Sequence, residues 1–202
     1  MAAAGEYWNH NTAYHPWLAD IAEEHHGTVL DVGCGDGLLA QRLAPLSRSI
    51  VGIDSDPEAV RRARERLSDR RNVTIVEQPF DAYDPGDVRF DLITFVATIH
   101  HMDLRATLSR ARDLLTPSGE IAVVGLSANK TVLDWIWAGL SLPAVRVASR
   151  LHRETPDVGL VMRDPRESLA EIRAVADDVI PAATVRRALY YRYLLRWRRT
   201  VG

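Results

Sequence analysis

Residues 29 to 37 read Val-Leu-Asp-Val-Gly-Cys-Gly-Asp-Gly, and this stretch decides the fold. Its mostly apolar start is typical of a short strand that is buried on both faces of a parallel sheet. Glycines then occupy alternate positions, Gly33, Gly35 and Gly37, which lets the backbone turn sharply and a ligand approach closely. A helical pattern begins at Leu38. The stretch therefore predicts strand, tight turn and helix, where an open α/β sheet binds a nucleotide-like ligand.

The charge around this turn favours one class of ligand over another. A dinucleotide site follows the pattern G-x-G-x-x-G/A, but here Leu38 occupies the position of the last small residue. Asp31 and Asp36 flank the turn, and two carboxylates would repel a pyrophosphate at short range. They suit a ligand that carries an ammonium and a sulfonium group. A glycine-rich turn that binds nothing is the alternative.

A second strand is predicted over Ser49 to Asp54, and it ends in a carboxylate. Asp54 lies 21 residues beyond Gly33, close to the spacing at which an acidic residue meets a ribose diol. One carboxylate can accept hydrogen bonds from both hydroxyls. A helix is predicted next, over Pro57 to Leu67, with a capping box spanning Ser55 to Glu58.

The glycine turn and the acidic strand end resemble the cofactor site of the class I S-adenosylmethionine-dependent methyltransferases, in particular their small-molecule, ubiquinone- and menaquinone-methyltransferase-like group. The resemblance covers residues 29 to 126 well and 179 to 199 more weakly. It implies S-adenosyl-L-methionine as cofactor, S-adenosyl-L-homocysteine as product, and no metal. The resemblance also implies which residues in and after the first, second and fourth strands bind the cofactor. They are Asp31, Gly33, Cys34, Gly35, Gly37, Asp54, Ser55 and Val96.

Further β/α units follow along the chain. Strands are predicted over Asn72 to Val76, Phe90 to Val96 and Glu120 to Leu126, the last after a turn at Thr116 to Gly119. Four β/α repeats before the fifth strand predict a doubly wound α/β fold. The resemblance implies the Rossmann-like methyltransferase form of it, a seven-stranded, mostly parallel sheet with the last strand antiparallel.

The loop after the third strand departs from the family's pattern. The resemblance implies an acidic residue against the adenine amino group, but Pro79 occupies that position and Asp81 follows two residues later. Two interpretations remain open. Either Asp81 meets the adenine, or the backbone and Phe80 hold it.

Two histidines, His100 and His101, follow the fourth strand. The carboxyl end of that strand faces the crevice of an open sheet, so these side chains are expected near the transferred methyl group. Histidine titrates nearest neutral pH, which makes them candidate catalytic bases. The alternative is a structural role. Asp103 is the predicted N-cap of a helix over Leu104 to Leu115.

The segment before the first strand has loosely helical spacing that is interrupted by Pro16. In the family that this chain resembles, such a segment often folds over the cofactor as a lid. Tyr14 and His15 are then expected to reach the ligand. A plain packing helix is the alternative.

An apolar stretch from Thr131 to Leu151 follows the fifth strand, and Trp135 and Trp137 make it a candidate binding surface for a lipophilic substrate. An amphipathic packing helix is the alternative. The rest of the chain predicts a helix over Asp164 to Ala176 that starts at Pro165. Two antiparallel strands are predicted after this helix, over Val185 to Leu189 and Tyr191 to Trp197.

Length and composition limit the alternatives. A chain of 202 residues predicts a single methyltransferase domain, divided into a lid segment (1–27), a cofactor-binding core (28–126), an apolar cap (127–163) and a C-terminal part (164–202). A net charge of −2 does not favour nucleic acid as a partner, although six arginines lie in the last strands. A lone cysteine, no signal peptide and no transmembrane segment predict a cytoplasmic protein. The sequence leaves the oligomeric state open.

These features predict a methyltransferase that acts on a small, lipophilic or aromatic metabolite, by O- or C-methylation. A relative that binds S-adenosylmethionine without catalysis, or serves as an assembly partner, is the main alternative. A nicotinamide-dependent oxidoreductase is less favoured because of Leu38 and Asp36.

Overall fold

Seven strands form one sheet in the computed structural model, which describes residues 7–128, 130, 165–189 and 192–200. The strands are Thr28–Val32 (β1), Ser49–Asp54 (β2), Val73–Glu77 (β3), Phe90–Val96 (β4), Leu115–Leu126 (β5), Thr184–Arg187 (β6) and Arg192–Arg198 (β7). Their spatial order is β3-β2-β1-β4-β5-β7-β6. Strands β1 to β5 pair in parallel, whereas β7 runs antiparallel to both β5 and β6. The predicted fold class, including the antiparallel last strand, is confirmed.

Helices cover both faces of this sheet. They are His15–His25 (α1), Leu38–Leu43 (α2), Pro57–Arg66 (α3), Leu104–Leu114 (α4) and Leu169–Val179 (α5), with 3₁₀ turns at Thr12–Tyr14, Ala44–Leu46 and Ile99–His101. Two apolar cores result, because alternate strand residues point to opposite faces. One core joins α4 and α5 to residues such as Leu30 and Phe95, and the other joins α1, α2 and α3 to residues such as Val29 and Leu92. None of the helices within the described residues is long and apolar enough to cross a membrane.

The parallel order brings the carboxyl ends of β1 to β4 to one edge of the sheet, which we call the carboxyl edge. Asp31 pairs with Gly52 of β2 and with Thr94 of β4, so it lies near the middle of this edge. Arg192 also lies there, because the start of β7 pairs with Leu126 at the end of β5. The loops after β1, β2, β3 and β4 therefore meet at one place.

Three expectations about how helices begin differ from the structure, although α3 starts at Pro57 as predicted. Pro16 does not interrupt α1 but lies in its first turn, where the missing N–H costs nothing. Asp56, not Ser55, caps α3, because its carboxylate accepts a hydrogen bond from the Glu58 N–H at 2.9 Å. The last helix begins at Leu169 rather than at Pro165, since Ser168 and Glu171 form a reciprocal capping box.

Several strand boundaries also differ from the predicted ones. The predicted turn at 116–119 is part of β5, whose pairing with β4 shifts register between Phe90 and Leu92. Gly119 is needed there, because a Cβ at this position would lie 2.7 Å from the carbonyl oxygen of Phe90. Strand β6 ends at Arg187, two residues earlier than expected, and β7 begins at Arg192. Strand β3 is shifted by one residue, to Val73–Glu77.

Candidate functional site

The glycine loop between β1 and α2 has a left-handed backbone at Gly33, Gly35 and Gly37, with φ of 70°, 56° and 80°. The three positions differ in what surrounds them. A Cβ on Gly33 would lie 2.2 Å from Oγ1 of Thr98, and one on Gly37 would lie 2.7 Å from Cδ1 of Leu67. A Cβ on Gly35 would meet nothing within 4 Å. Gly33 and Gly37 therefore permit close packing, and Gly35 faces open space that a ligand can occupy.

Asp54, at the end of β2, faces this loop. One carboxylate oxygen accepts a hydrogen bond from the Gly35 N–H at 2.9 Å, and the other accepts one from the Asp56 N–H at 2.9 Å. Each oxygen retains further acceptor capacity, since a carboxylate offers about four lone-pair sites. Asp54 thus holds the glycine loop while still able to accept from ligand hydroxyls. Ser55 beside it is exposed.

Asp31 is a buried carboxylate at the carboxyl edge, with a relative exposure of 2%. The hydroxyl of Thr94 donates to its Oδ1 at 2.8 Å, whereas its buried Oδ2 has no hydrogen-bond partner among the described residues. Burial, reinforced by the nearby charge of Asp54, raises the pKa of Asp31 to about 7 despite the hydrogen bond from Thr94. A buried acceptor without a partner is costly unless a donor reaches it. An ammonium group would supply that donor.

Asp36, the other acidic residue of the loop, has a different role from the one predicted. The guanidinium of Arg66 on α3 donates to its carboxylate at 2.7 Å and to its backbone carbonyl at 2.9 Å. The hydroxyl of Tyr7 donates to the same carboxylate at 3.2 Å. Asp36 therefore fixes the loop to α3 and to the N-terminal segment, and its charge is offset by Arg66.

Cys34 and Val96 belong to the apolar core beneath the glycine loop. The Cys34 side chain packs over Gly52, where a Cβ would lie 3.1 Å from the sulfur. Burial, together with the charges of Asp31 and Asp54, raises the pKa of the Cys34 thiol well above its usual range. The thiol is therefore neutral and serves packing. Val96 is half-buried at the end of β4.

The two predicted catalytic histidines follow a strained turn at the end of β4. Ala97 has a φ of 52°, a conformation that costs a non-glycine residue about 1 kcal/mol or more. Its N–H donates to the carbonyl of Val124 at 2.7 Å, which holds the turn against β5. His100 is buried, with a relative exposure of 8%, and His101 is exposed. The two rings contact each other, with centroids 4.1 Å apart.

Thr98 joins this turn to the glycine loop. Its hydroxyl donates to the Val96 carbonyl at 3.0 Å, and its side chain occupies the space that a Cβ on Gly33 would need. The backbone N–H of His101 donates to the Thr98 carbonyl at 3.0 Å. The glycine loop and the histidine turn therefore pack directly on each other.

The loop after β3 points Phe80 inward and Asp81 outward. Phe80 is buried in the core, with its ring edge-to-face against Phe95 at a centroid distance of 5.5 Å. Asp81 is exposed. Arg110 of α4 donates to the Phe80 carbonyl at 3.0 Å and to the Tyr83 carbonyl. The Phe80 ring therefore faces the core, whereas the Asp81 side chain faces outward. Of the groups in the two adenine-binding alternatives, Asp81 and the loop backbone remain candidates.

Tyr14 and His15 lie at the start of α1. The hydroxyl of Tyr14 donates to the carbonyl of Leu189 at 2.7 Å, in the turn before β7. His15 is buried, and its Nδ1 has no hydrogen-bond partner among the described residues. Burial and the positive charge of Arg42 lower the pKa of His15 to about 3, so its ring is neutral. In this segment it is Tyr7 that reaches the glycine loop, through Asp36.

The predicted substrate residues Trp135 and Trp137 lie outside the described residues. Two contributors that the sequence did not single out are Thr94 and Arg110. Thr94 carried a signal, since it is a polar residue within the apolar strand Phe90–Val96. Arg110 carried none, because its partners Phe80 and Tyr83 are remote in sequence.

Comparison with known proteins identifies the family. A family model described as a methyltransferase domain matches residues 30–121. A protein of Mycobacterium tuberculosis, named as an uncharacterised methyltransferase, is 33% identical over 195 residues, which are 96% of this chain and 98% of that protein. A ubiquinone biosynthesis O-methyltransferase from Erwinia tasmaniensis is 27% identical over 151 residues, which are 68% of this chain and 61% of that enzyme.

Solved structures share the fold. The YcgJ protein from Bacillus subtilis superposes with a TM-score of 0.69 at 17% identity, covering 95% of this chain and 100% of that one. The N-methyltransferase NodS from Bradyrhizobium japonicum, in complex with S-adenosyl-L-homocysteine, has a TM-score of 0.61 at 18% identity, covering 93% and 86%. Together with the near full-length relative, these matches confirm the predicted family: the chain belongs to the class I methyltransferases, whose cofactor is S-adenosyl-L-methionine.

Proposed function

We propose that Asp31, Gly35 and Asp54 hold S-adenosyl-L-methionine at the carboxyl edge. The observation that carries this assignment is the buried Oδ2 of Asp31, which has no hydrogen-bond partner within the part of the chain that the structure describes and which suits the ammonium of the cofactor's amino-acid end. Open space over Gly35 lets a ligand approach the backbone closely. Asp54 retains acceptor capacity for ribose hydroxyls. The residues present thus fit the group that the family requires.

The proposed reaction is methylation of a small, lipophilic or aromatic metabolite at oxygen or carbon. Two features support it. A relative at 27% identity is named as a ubiquinone biosynthesis O-methyltransferase. The sequence also carries an apolar stretch with Trp135 and Trp137 directly after β5, and such a stretch suits an apolar acceptor.

The chain's own contribution to the chemistry is positioning and proton removal. When bound, the cofactor supplies an electrophilic methyl group. Asp31 and Asp54 orient the bound molecule, and Thr98 fixes the distance between the glycine loop and the histidine turn. Alignment of this kind contributes a large part of the rate in two-reactant reactions. His100 or His101 removes the acceptor's proton if the acceptor is a hydroxyl or an acidic carbon.

A methyl-label assay tests this proposal. The protein is incubated with S-adenosyl-L-methionine labelled in the methyl group and with catechols, phenols and hydroquinones that carry side chains of increasing length. We expect labelled product from at least one of them. At a cofactor concentration below the wild-type Kd, Asp54→Ala should give about fivefold less product or lower, because ribose binding weakens by about 1 to 3 kcal/mol. Tight binding of the cofactor without any turnover, across these acceptors and metabolite extracts, would favour the catalytically silent alternative.

Histidine variants test the base. At least one of His100→Ala and His101→Ala should lower kcat by more than tenfold with nearly unchanged cofactor affinity, since general-base help is worth about 10²- to 10⁴-fold. Glutamine should rescue the acting position poorly, because it cannot take the proton. His26→Ala, at the exposed end of α1, is the matched control. Full activity in both alanine variants would remove histidine from the mechanism.

A further inference from the structure

Arginines from two helices bind the loops that surround the proposed cofactor site. Arg66 of α3 holds the glycine loop through Asp36, as described above. Arg110 of α4 holds the loop after β3, residues 78–83, which we call the β3 loop. Its Nε donates to the Phe80 carbonyl at 3.0 Å, and its Nη2 donates to the Tyr83 carbonyl. The two arginines thus attach two different loops to the helical layers.

The β3 loop depends on Arg110 for its shape. Within the loop, the N–H groups of Ala82 and Tyr83 both donate to the Pro79 carbonyl, at 3.2 and 3.1 Å. The guanidinium of Arg110 lies over the Phe80 ring at 5.5 Å from its centroid, in addition to binding the two carbonyls. A planar guanidinium can bridge two acceptors at fixed spacing, which a lysine ammonium cannot do. Arg110 therefore fixes the loop backbone on both sides of Asp81.

If the cofactor binds as proposed, the order of the strands determines which end of the cofactor faces the β3 loop. Asp31 on β1 receives the ammonium and Asp54 on β2 receives the ribose. Strand β3 lies on the far side of β2 from β1. The base attached to the ribose therefore extends towards the end of β3. The loop begins there, with the Gln78 N–H donating to the Asp54 carbonyl at 3.0 Å.

We propose that Arg110 is a positioning residue that sets the preference of this site for adenine. It does not touch the base. It holds the backbone groups between Pro79 and Tyr83, together with Asp81, where they can recognise the edge of the base. This inference rests on the proposed cofactor site and adds the residue that determines specificity for the base.

Two ligands that differ only at that edge test the inference. S-inosyl-L-homocysteine carries a carbonyl where S-adenosyl-L-homocysteine carries the amino group. Calorimetry on the full chain gives a Kd for each ligand, and their ratio measures base preference. We expect the wild type to prefer the adenosyl compound by about tenfold or more, because a mismatched polar edge leaves hydrogen-bonding groups unpaired. Arg110→Gln should bring the ratio to about threefold or less.

Two further variants make the outcome decisive. Arg110→Lys keeps the charge without the bridge, and its ratio should also fall. Arg66→Gln loosens the glycine loop instead, so it should weaken both ligands by the same factor and leave the ratio at its wild-type value. The ratio does not depend on the fraction of folded protein, because both ligands bind only the folded form.

The possible results separate the inference from the proposed function. A wild-type ratio in both Arg110 variants would overturn the inference alone. An equal fall of the ratio in Arg66→Gln would also overturn it, because the effect would then be a general loosening of the site. A wild-type protein that binds neither ligand would overturn the proposed cofactor site as well.

Discussion

Asp31 shows how one residue can be costly to the fold and useful to the site. Its side chain is buried at the carboxyl edge, and only one of its oxygens is hydrogen-bonded among the described residues. Its pKa of about 7, above the ordinary 3.8, means that folding favours the protonated form. A raised pKa stabilises the fold fully below the unfolded value, and this contribution is lost as the pH rises through the folded value.

The first prediction concerns how the stability of an Asp31 variant changes with pH. Without ligand, Asp31→Asn should raise the free energy of unfolding at pH 8 by about 1 to 3 kcal/mol, because the buried charge is removed. The gain should shrink as the pH is lowered from about 7 towards 4, because the wild-type carboxyl is then protonated in the folded state and becomes partly protonated in the unfolded state. Urea unfolding at pH 5, 6, 7 and 8 measures this difference.

The same variant should lose the ligand. S-adenosyl-L-homocysteine should bind Asp31→Asn at least about tenfold more weakly at pH 8, since the ammonium loses its charged partner. A stability difference that does not change with pH, or an unchanged affinity, would show that Asp31 does not titrate or bind as argued.

The second prediction concerns Gly35. Gly35→Val should abolish binding of S-adenosyl-L-homocysteine, because the new side chain fills the open space beside the backbone. Gly86→Val is the matched control: Gly86 also has a positive φ, of 61°, and nothing within 4 Å of its Cβ position. Both variants pay a similar backbone strain of about 1 to 2 kcal/mol. Calorimetry that found equal affinity in the two variants would show that no ligand approaches Gly35.

At the scale of elements, the start of α3 tests how a helix is capped. The Asp56 carboxylate accepts from the Glu58 N–H, and the Asp56 N–H donates to Asp54 of the proposed site. Asp56→Ala should lower the free energy of unfolding by about 1 kcal/mol, the typical value for a lost N-cap. Ser55→Ala should change it by less than about 0.5 kcal/mol. Thermal unfolding of both variants measures this, and a larger loss in Ser55→Ala would restore the cap predicted from sequence.

The elements differ in how far the sequence could predict them. Strands β2 and β4 have the predicted boundaries, because apolar runs between turn residues depend on local pattern alone. The start of α5 was missed because Asp-Pro and Ser-x-x-Glu are both local start signals. In the structure Ser168 is the N-cap, because a β-bridge to Ala128 holds its backbone extended and prevents an earlier helix start. Tertiary contact decides between such signals.

The residues of the proposed site also differ in how far the sequence could predict them. The positions of Gly35 in the turn after β1 and of Asp54 at the end of β2 could be predicted, because the spacing of a glycine turn and an acidic strand end reflects the fold itself. The roles of Asp36 and Phe80 could not, because they depend on contacts with Arg66, Tyr7 and Arg110 that are distant along the chain. Local pattern shows where a side chain is attached, and packing decides which way it faces.

For the molecule as a whole, the first helix and the last strand meet at one buried carboxylate. Glu120 in β5 has a relative exposure of 0%. Its carboxylate lies 3.2 Å from Nε2 of His25, at the end of α1, and pairs with Arg196 and Arg198 of β7. Burial opposes ionisation of Glu120, but the hydrogen bonds from His25 and Arg196 outweigh it, so its pKa is lowered. This cluster links α1 and β7, near the two ends of the described chain, through β5.

The last prediction is that Glu120→Gln destabilises the whole fold by about 2 to 4 kcal/mol near neutral pH, because His25 and the arginines lose a buried charged partner. Glu24→Gln is the control, since Glu24 also pairs with Arg196 but is exposed, so its loss should cost less than about 1 kcal/mol. A lowered pKa contributes stability that is present above the ordinary value of 4.5 and is lost as the pH falls below it. The difference between wild type and Glu120→Gln should therefore narrow from about pH 5 towards pH 3. Urea unfolding across that range measures it, and a loss in Glu120→Gln no larger than in Glu24→Gln would show that β7 is held by its apolar face alone.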